Sequence, residues 1–522
     1  MKTMKYILSS LAAVTLLTAC VQDLDVTPID PNANTADKAL VSEEAYTQFL
    51  AGLYTGYATS SYYGIDGAAS ISGLDGGASQ YIRGLYNLNE LTTDESVCGW
   101  NDQTIKDLHW MIWTTSDVFV YAFYSRVLMQ VSMANEFIRE AKASDVDFAK
   151  KAEYIAEART LRALSLYHAI DNFGNIPFAT ENAVVGAFPS QTTRAELFDY
   201  IESELKDLIE GSDLAAPKGN GYGRANKGVA KFILAKLYLN AEVYIGTAKY
   251  AECAAVLKDL MDDGYSLHTT PRGDIYSAYQ DLFLADNDQC TDEIIFAIEQ
   301  DGINTKSYGA TNYLIFASIG GEMDPSSFGV QSGWGGLRTT PEFYDKFSAG
   351  DARKLFFDDT KPGSTQQRDI DDIGEFTNGF AFMKFSNIKA DGTPGQATGF
   401  VDTDFPMMRY ADVLLMAAEC EKRGAAVDGY AGFNAVRARA GLGAIASPSL
   451  NDIIDERGRE LYMECWRRSD LIRFGLFTSG SYLWQWKGNV KNGQAVDAHR
   501  NLFPIPSQDL QANDKLSQNE GY

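Results

Sequence analysis

The 522-residue chain carries 70 acidic residues against 45 basic ones, a formal net charge of −25, with 45% hydrophobic residues. So anionic a surface, with no Lys/Arg cluster to offset it, repels phosphate backbones and argues against nucleic acid as a partner. The apolar content is enough for a large core, and after the N-terminal leader no apolar run approaches the length of a transmembrane helix.

The leader, MKTMKYILSSLAAVTLLTAC, has a basic start (Lys2, Lys5), an apolar stretch from Ile7 to Leu17 and small residues before Cys20. That is the layout of a cleaved secretory signal, too short to stay in a bilayer as a span. Leu17-Thr18-Ala19-Cys20 resembles a bacterial lipobox, so the expectation is a signal peptide over 1–19, acylation of Cys20 and a lipidated tether over 20–41. Asp23 and Asp25 look like an acidic export tag. An ordinary signal peptide with an incidental Cys20 is the plain alternative. A tether of about twenty residues could extend roughly 70 Å.

Helical patterns dominate the rest of the chain. Ser42 is placed to cap a helix whose first turn holds Glu43 and Glu44 and whose stripe runs Tyr46, Phe49, Leu50, Leu53 and Tyr54. Val120, Phe123, Tyr124, Val127, Val131 and Ile138 mark a second helix. A third, AEARTLRALSLYHAIDNFGNIP, mixes Ala and Leu and is stopped by Gly174 and Pro177. GVAKFILAKLYLNAEVYIGTAKYAECAAVLKDLM and RYADVLLMAAECEKRGAAVDGYAGFNAVRARAGL each read as an Ala/Leu-rich helix, a break and a second helix. These are tetratricopeptide-like hairpins in which each buries its apolar face on the next. The predicted fold is mostly α: a single body over 42–522, with a helical scaffold over about 42–260 and 406–522. Between them lies a loop-rich insertion over about 265–405, rich in Gly, Asp, Thr and aromatics, with short strand-like runs such as FAFMKF.

Catalytic and metal motifs are sparse. There is no GxSxG, P-loop, HExxH or zinc-type Cys/His spacing, and His109, His168, His268 and His499 are far apart. His168 lies within a helix and reads as a packed core residue. Asp286, Asp288 and Asp292 in ADNDQCTDE have a faint calcium-loop look but lack the glycine and terminal glutamate of an EF-hand, and a solvated acidic loop is the better reading. No cofactor is expected beyond that weak structural calcium candidate. Cys98, Cys253, Cys290, Cys420 and Cys465, odd in number and without CxxC, imply no disulfide framework and read mainly as small buried hydrophobes.

The C-terminal quarter carries a specific resemblance. IIDERGRELYMECWRRSDLIRFGLF followed by LFPIPSQDLQANDKLSQNEGY resembles the SusD/RagB family of outer-membrane, glycan-binding lipoproteins. AEARTLRALSLYHAIDNFGNIPF, GRANKGVAKFILAKLYLNA and RYADVLLMAAE with NAVRARAGL match further family segments in the family's order. The stretches NLNELTTDES, EQDGINTKSYGATNYL and WRRSDLIRFGLFTSGSYLWQWKG are closest to starch-binding membership. The resemblance implies a non-catalytic, surface-exposed lipoprotein of the outer membrane that captures starch or maltooligosaccharides and partners a SusC-like TonB-dependent transporter. An all-helical glycoside hydrolase and a protein-binding tetratricopeptide scaffold are the rival readings.

A pyranose offers C–H faces and hydroxyl edges, so it suits an aromatic plate with planar polar groups at the rim. Trp100, in DESVCGWNDQ, sits in a polar stretch with no helical stripe to explain it. Trp334, in QSGWGGLR, is flanked by glycines, and Tyr308, in TKSYGATNY, is loop-borne. The resemblance implies that these three form an aromatic arc, joined by Arg83 and, from the shorter loop here, Asn101 or Gln103. Trp484 and Trp486 read as packing. In the expected terminal helix, Glu464 with Arg468 and Asp470 with Arg473 are either exposed pairs or a buried network.

Overall fold

The computed structural model describes residues 40–61, 64, 69–184 and 186–522; the expected signal peptide, Cys20 and the tether up to residue 39 lie outside the described residues. Helix α1 (Glu43–Ala58) starts where the sequence places it. The Ser42 side chain accepts from the Ala45 N–H, and Tyr46, Leu50, Leu53 and Tyr57 are buried along one face. Next come α2 (Tyr81–Asn89), β1 (Val97–Cys98), α3 (Gln103–Trp110), α4 (Val118–Ala143) and α5 (Lys151–Phe173), the last ended by Gly174 at φ 70°. A small ladder pairs β2 (Ile176–Pro177) with β3 (Gln191–Thr192). The scaffold then continues through α6 (Arg194–Glu210), α7 (Lys227–Leu239) and α8 (Tyr250–Met261).

Each of α4 to α8 packs on its sequence neighbour. In α7 every residue after Lys227 is buried, because α5, α6 and α8 all pack on it. That explains why its sequence is apolar almost all round instead of striped. The chain then leaves for the insertion and returns as α10 (Tyr410–Lys422), which packs directly on α8 and carries α11 (Tyr430–Arg439) and α12 (Leu450–Leu461). The superhelix is thus continuous in space although some 150 residues separate α8 from α10 in sequence. Among the described residues no helix is long and apolar enough to cross a membrane.

The insertion is not featureless. Its ends are closed by β4 (Ile294–Ile298) pairing antiparallel with β8 (Phe405–Arg409). Inside it α9 (Ala310–Ser318) is buried along its whole length. A sheet of order β1-β5-β7-β6 joins β5 (Leu337–Thr339), β6 (Phe356–Phe357) and β7 (Phe380–Phe382) to β1 of the scaffold half. The strand-like run FAFMKF supplies β7.

The terminal helix is broken in two. After α12 the chain turns through Met463 (φ 63°) and Cys465 (φ 69°), both left-handed, before α13 (Arg467–Arg473). The turn is held because the Met463 N–H donates to Glu95 Oε1 at 2.6 Å and Lys384 Nζ donates to Glu464 Oε1 at 2.6 Å. Glu464 therefore never meets Arg468: Glu464 takes Lys384 and Arg409, and Arg468 donates to the Asn501 carbonyl at 2.6 Å. Asp470 and Arg473 do pair, at 2.7 Å, inside a buried network with Arg457 and Glu419.

A second buried network lies at the seam between scaffold and insertion. Arg409, on β8 and fully buried, reaches Glu293, Glu460 and Glu464, while Arg439 binds Glu293 and Glu460. Arg353, in the insertion, binds Asp351, Glu456 and Glu460. Burial pushes the Glu460 carboxyl up, but Arg439, Arg409 and Arg353 outweigh it and hold it at about 2. Such charges persist only when paired and hydrogen-bonded. His168 is buried, with Nδ1 2.8 Å from the Tyr81 hydroxyl, and desolvation lowers its pKa to about 4, as a packed histidine should behave. The five cysteines beyond Cys20 are buried free thiols, and Trp484 is fully buried.

Candidate functional site

Trp100 and Trp334 are brought together by one ladder. In the antiparallel β1–β5 pair Val97 faces Arg338 and Cys98 faces Leu337. Trp100, just after β1, and Trp334, just before β5, therefore emerge at the same end. Their ring centroids are 6.3 Å apart, and Trp100 Nε1 donates to the Trp334 carbonyl at 3.1 Å. The Trp334 loop is laid on the end of α9: the N–H groups of Trp334, Gly335 and Gly336 donate to the carbonyls of Phe316, Ile319 and Ala317 at 2.7 to 2.8 Å. They lie at the C-terminal end of the helix, where carbonyls run out of intrahelical donors, and the Phe316 carbonyl is shared with the Ile319 N–H at 3.3 Å. The glycines of GWGGL are needed for this approach. A Cβ on Gly336 would sit 2.8 Å from Trp100 Nε1, and one on Gly333 2.2 Å from the Ile319 carbonyl oxygen.

Tyr308 and Arg83 meet through a different device. Gln80 caps α2 by accepting from the Arg83 N–H at 2.8 Å, and the same oxygen accepts from the Ala310 N–H at 2.8 Å where α9 begins. Its Nε2 donates to the Tyr57 carbonyl at 2.6 Å. One amide thus fixes the start of α2, which carries Arg83, against the start of α9, which comes just after Tyr308. Arg83 Nη1 donates to the Tyr308 carbonyl at 3.4 Å, and its guanidinium lies 4.7 Å from the Tyr313 ring and 5.4 Å from the Trp100 ring.

The result is a row of rings. Trp334 contacts Trp100 at one end and Tyr308 at the other (6.2 Å), over Phe316 beneath it at 5.0 Å. Tyr308 is 44% exposed, and Trp100, Trp334 and Arg83 are half-buried. Successive planes are inclined by 50° between Trp100 and Trp334 and by 59° between Trp334 and Tyr308, so neighbouring rings are not coplanar. Arg338, buried beneath, locks the base by donating to the carbonyls of Gly336, Ile373, Glu375 and Asn378. With only carbonyls as partners, desolvation lowers its pKa to about 10.

Four of the five ligand candidates, Arg83, Trp100, Tyr308 and Trp334, therefore converge. Asn101 is exposed beside Trp100, but its Oδ1 accepts from Lys106 Nζ at 2.6 Å; Gln103 donates to Asp107 at 2.7 Å. Sequence reasoning misses the floor residues Tyr313 and Phe316, which lie on a helix too short and too evenly buried to show an amphipathic period. Asp286 accepts from Arg272 Nη2 at 2.8 Å and from the Ala390 N–H at 3.1 Å. Among the described residues no three His, Cys, Asp or Glu side chains are grouped to hold a metal.

Residues 364–522 match the SusD family model. The whole chain is 32% identical to the whole of the starch-binding protein SusD of Bacteroides thetaiotaomicron, with 100% of each covered. The chain belongs to the SusD family. Its fold is similar to surface glycan-binding protein A of Bacteroides fluxus (TM-score 0.70, 21% identity, 92% of this chain and 100% of that one). It is similar also to surface glycan-binding protein A of Bacteroides thetaiotaomicron in complex with laminarihexaose (TM-score 0.69, 19% identity, 92% and 99%). As a SusD-family member the chain is a non-catalytic binding protein.

Proposed function

We propose that the SusD-family chain binds α-1,4-linked glucan, starch or its maltooligosaccharides, on the row of inclined rings formed by Trp100, Trp334 and Tyr308. In this reading Arg83 donates to sugar hydroxyls at the rim, with Asn101 or Gln103 at its edge. The observation that carries it is the inclination of 50° and 59° between successive rings. Tilted plates suit a chain that winds, and a flat β-1,4 ribbon would lie on only one of them. The 32% identity over the full length of a starch-binding protein favours the α-1,4 linkage among curved glucans. β-1,3-glucan, which also winds, is the second reading, supported by the laminarihexaose held by a structural neighbour. Acylation of Cys20 would tether the body to the outer membrane, and delivery to a SusC-like TonB-dependent transporter completes the role.

Each ring can remove about 100 Å² of apolar surface from water, worth roughly 2.5 kcal/mol before ordering costs. Trp100→Ala with Trp334→Ala should therefore abolish binding of maltoheptaose in titration calorimetry while the melting temperature moves little. Laminarihexaose and cellohexaose run in parallel decide the linkage. Stronger binding of laminarihexaose than of maltoheptaose would transfer the site to β-1,3-glucan, and full affinity in the double variant would remove these rings from it.

A further inference from the structure

The row of rings does not stop at Tyr308. Phe400 lies 5.8 Å beyond it, turned by 48°, and is half-buried with part of the ring in solvent. No ring contact joins Phe400 to Trp334 or Trp100 among the described residues, so it continues the row outward rather than filling in behind it. Its backbone is pinned on both sides by the segments that carry the other rings. The Gln331 N–H, three residues before Trp334, donates to the Thr398 carbonyl at 3.0 Å. The Gly302 N–H, on the loop leading to Tyr308, donates to Asp402 Oδ1 at 2.9 Å. The Gln396 N–H closes the turn onto Asp402 Oδ2 at 2.6 Å, and the Asp402 N–H donates to Asn387 Oδ1 at 2.9 Å. An exposed ring on a loop this well anchored is preorganised, which lowers the ordering cost of binding. Lys306, exposed, holds Nζ 5.9 Å from the Phe400 centroid and brings hydrogen-bond donors to the same end.

We infer that Phe400, with Lys306 beside it, forms an additional sugar-binding position at the Tyr308 end of the row, so that the site selects for chain length. The inference rests on the curved-glucan reading above and deepens it. A short oligosaccharide covers the Trp100, Trp334 and Tyr308 rings alone, and a longer one reaches the fourth.

The test is calorimetry with maltotriose and maltoheptaose on wild type, Phe400→Ala, Phe400→Leu and Trp334→Ala. Phe400→Ala should lose about tenfold in affinity for maltoheptaose, a single stacking contact, and stay within about twofold of wild type for maltotriose. Phe400→Leu, which keeps the apolar bulk and the loop, should show the same selective loss. Trp334→Ala should weaken both ligands. Equal affinities of wild type and both Phe400 variants for maltoheptaose would overturn the inference while leaving the three-ring site intact. Wild type that binds neither ligand would instead overturn the underlying reading, and the Phe400 position with it. A loss in Phe400→Ala that is as large for maltotriose as for maltoheptaose would also overturn it, because the ring would then belong to the central site.

Discussion

The ring row and the buried ion network are built from opposite materials. The row uses half-exposed aromatics on loops, fixed by backbone hydrogen bonds, the Gln80 amide and the guanidiniums of Arg83 and Arg338. The network uses fully buried Arg409 and Arg353 and their carboxylates, and ties α12, β8 and the insertion together. On the proposed reading, affinity and stability reside in different residues. Rings that touch solvent contribute little to the core and can be changed for function, whereas a buried arginine is replaceable only together with its partners.

The largest way to break this comparison is at Arg409. Arg409→Ala leaves Glu293, Glu460 and Glu464 in the interior with only Arg439, Arg353 and Lys384 against them. We expect a loss of about 3–5 kcal/mol in denaturant unfolding, with unchanged glucan affinity in the molecules that stay folded. A loss of affinity without loss of stability would join the two regions that the structure separates.

The second test is electrostatic. Burial raises the Glu95 pKa to about 8, and Glu90 beside it is also raised. Both carboxyls are thus protonated in the fold at pH values where they ionise once unfolded. The Glu95 contribution is complete below the ordinary glutamate pKa and is lost as pH rises through about 8. Lys236 and Lys384, lowered to about 8 by burial, have the opposite slope above that pH, so the raw profile mixes the two. Melting temperatures of wild type and Glu95→Gln from pH 6 to 9.5 isolate the carboxyl: the wild type should fall further than the variant. Parallel profiles would refute a protonated Glu95.

Smaller effects sharpen the other side. Gly336→Ala forces a Cβ to within 2.8 Å of Trp100 Nε1, so the indole must tilt. About a tenfold loss in maltoheptaose affinity should accompany a nearly unchanged melting temperature. Arg83→Ala should weaken binding by only about threefold to tenfold in the same assay, through lost hydrogen bonds to hydroxyls.

The helical scaffold was legible because its evidence is local: the Ser42 cap, the Ala/Leu stripes and the Gly174 stop each act within a few residues. Trp100, Tyr308 and Trp334 were legible for the opposite reason, as large rings in polar or glycine-rich stretches where no stripe accounts for them. What did not show in the sequence is non-local. The exchange that sends Glu464 to Lys384 and Arg409 instead of Arg468 depends on a left-handed turn stabilised by Glu95, which lies far away in the chain. Helix α9 is short and buried all round, so it has no amphipathic period to read. Phe400 sits in a Gly-rich run that offers no sign of the ring waiting beside it.

Gln80 has a consequence for assembly. Its one amide is shared by the Tyr57 carbonyl, the Arg83 N–H and the Ala310 N–H, which come from stretches separated by up to about 250 residues. A chain whose helices have formed but whose insertion has not docked has Arg83 and Tyr308 in it, yet nowhere near each other. On the proposed reading, capture of ligand is then a certificate of complete folding, issued only by molecules in which the last long-range joint has closed.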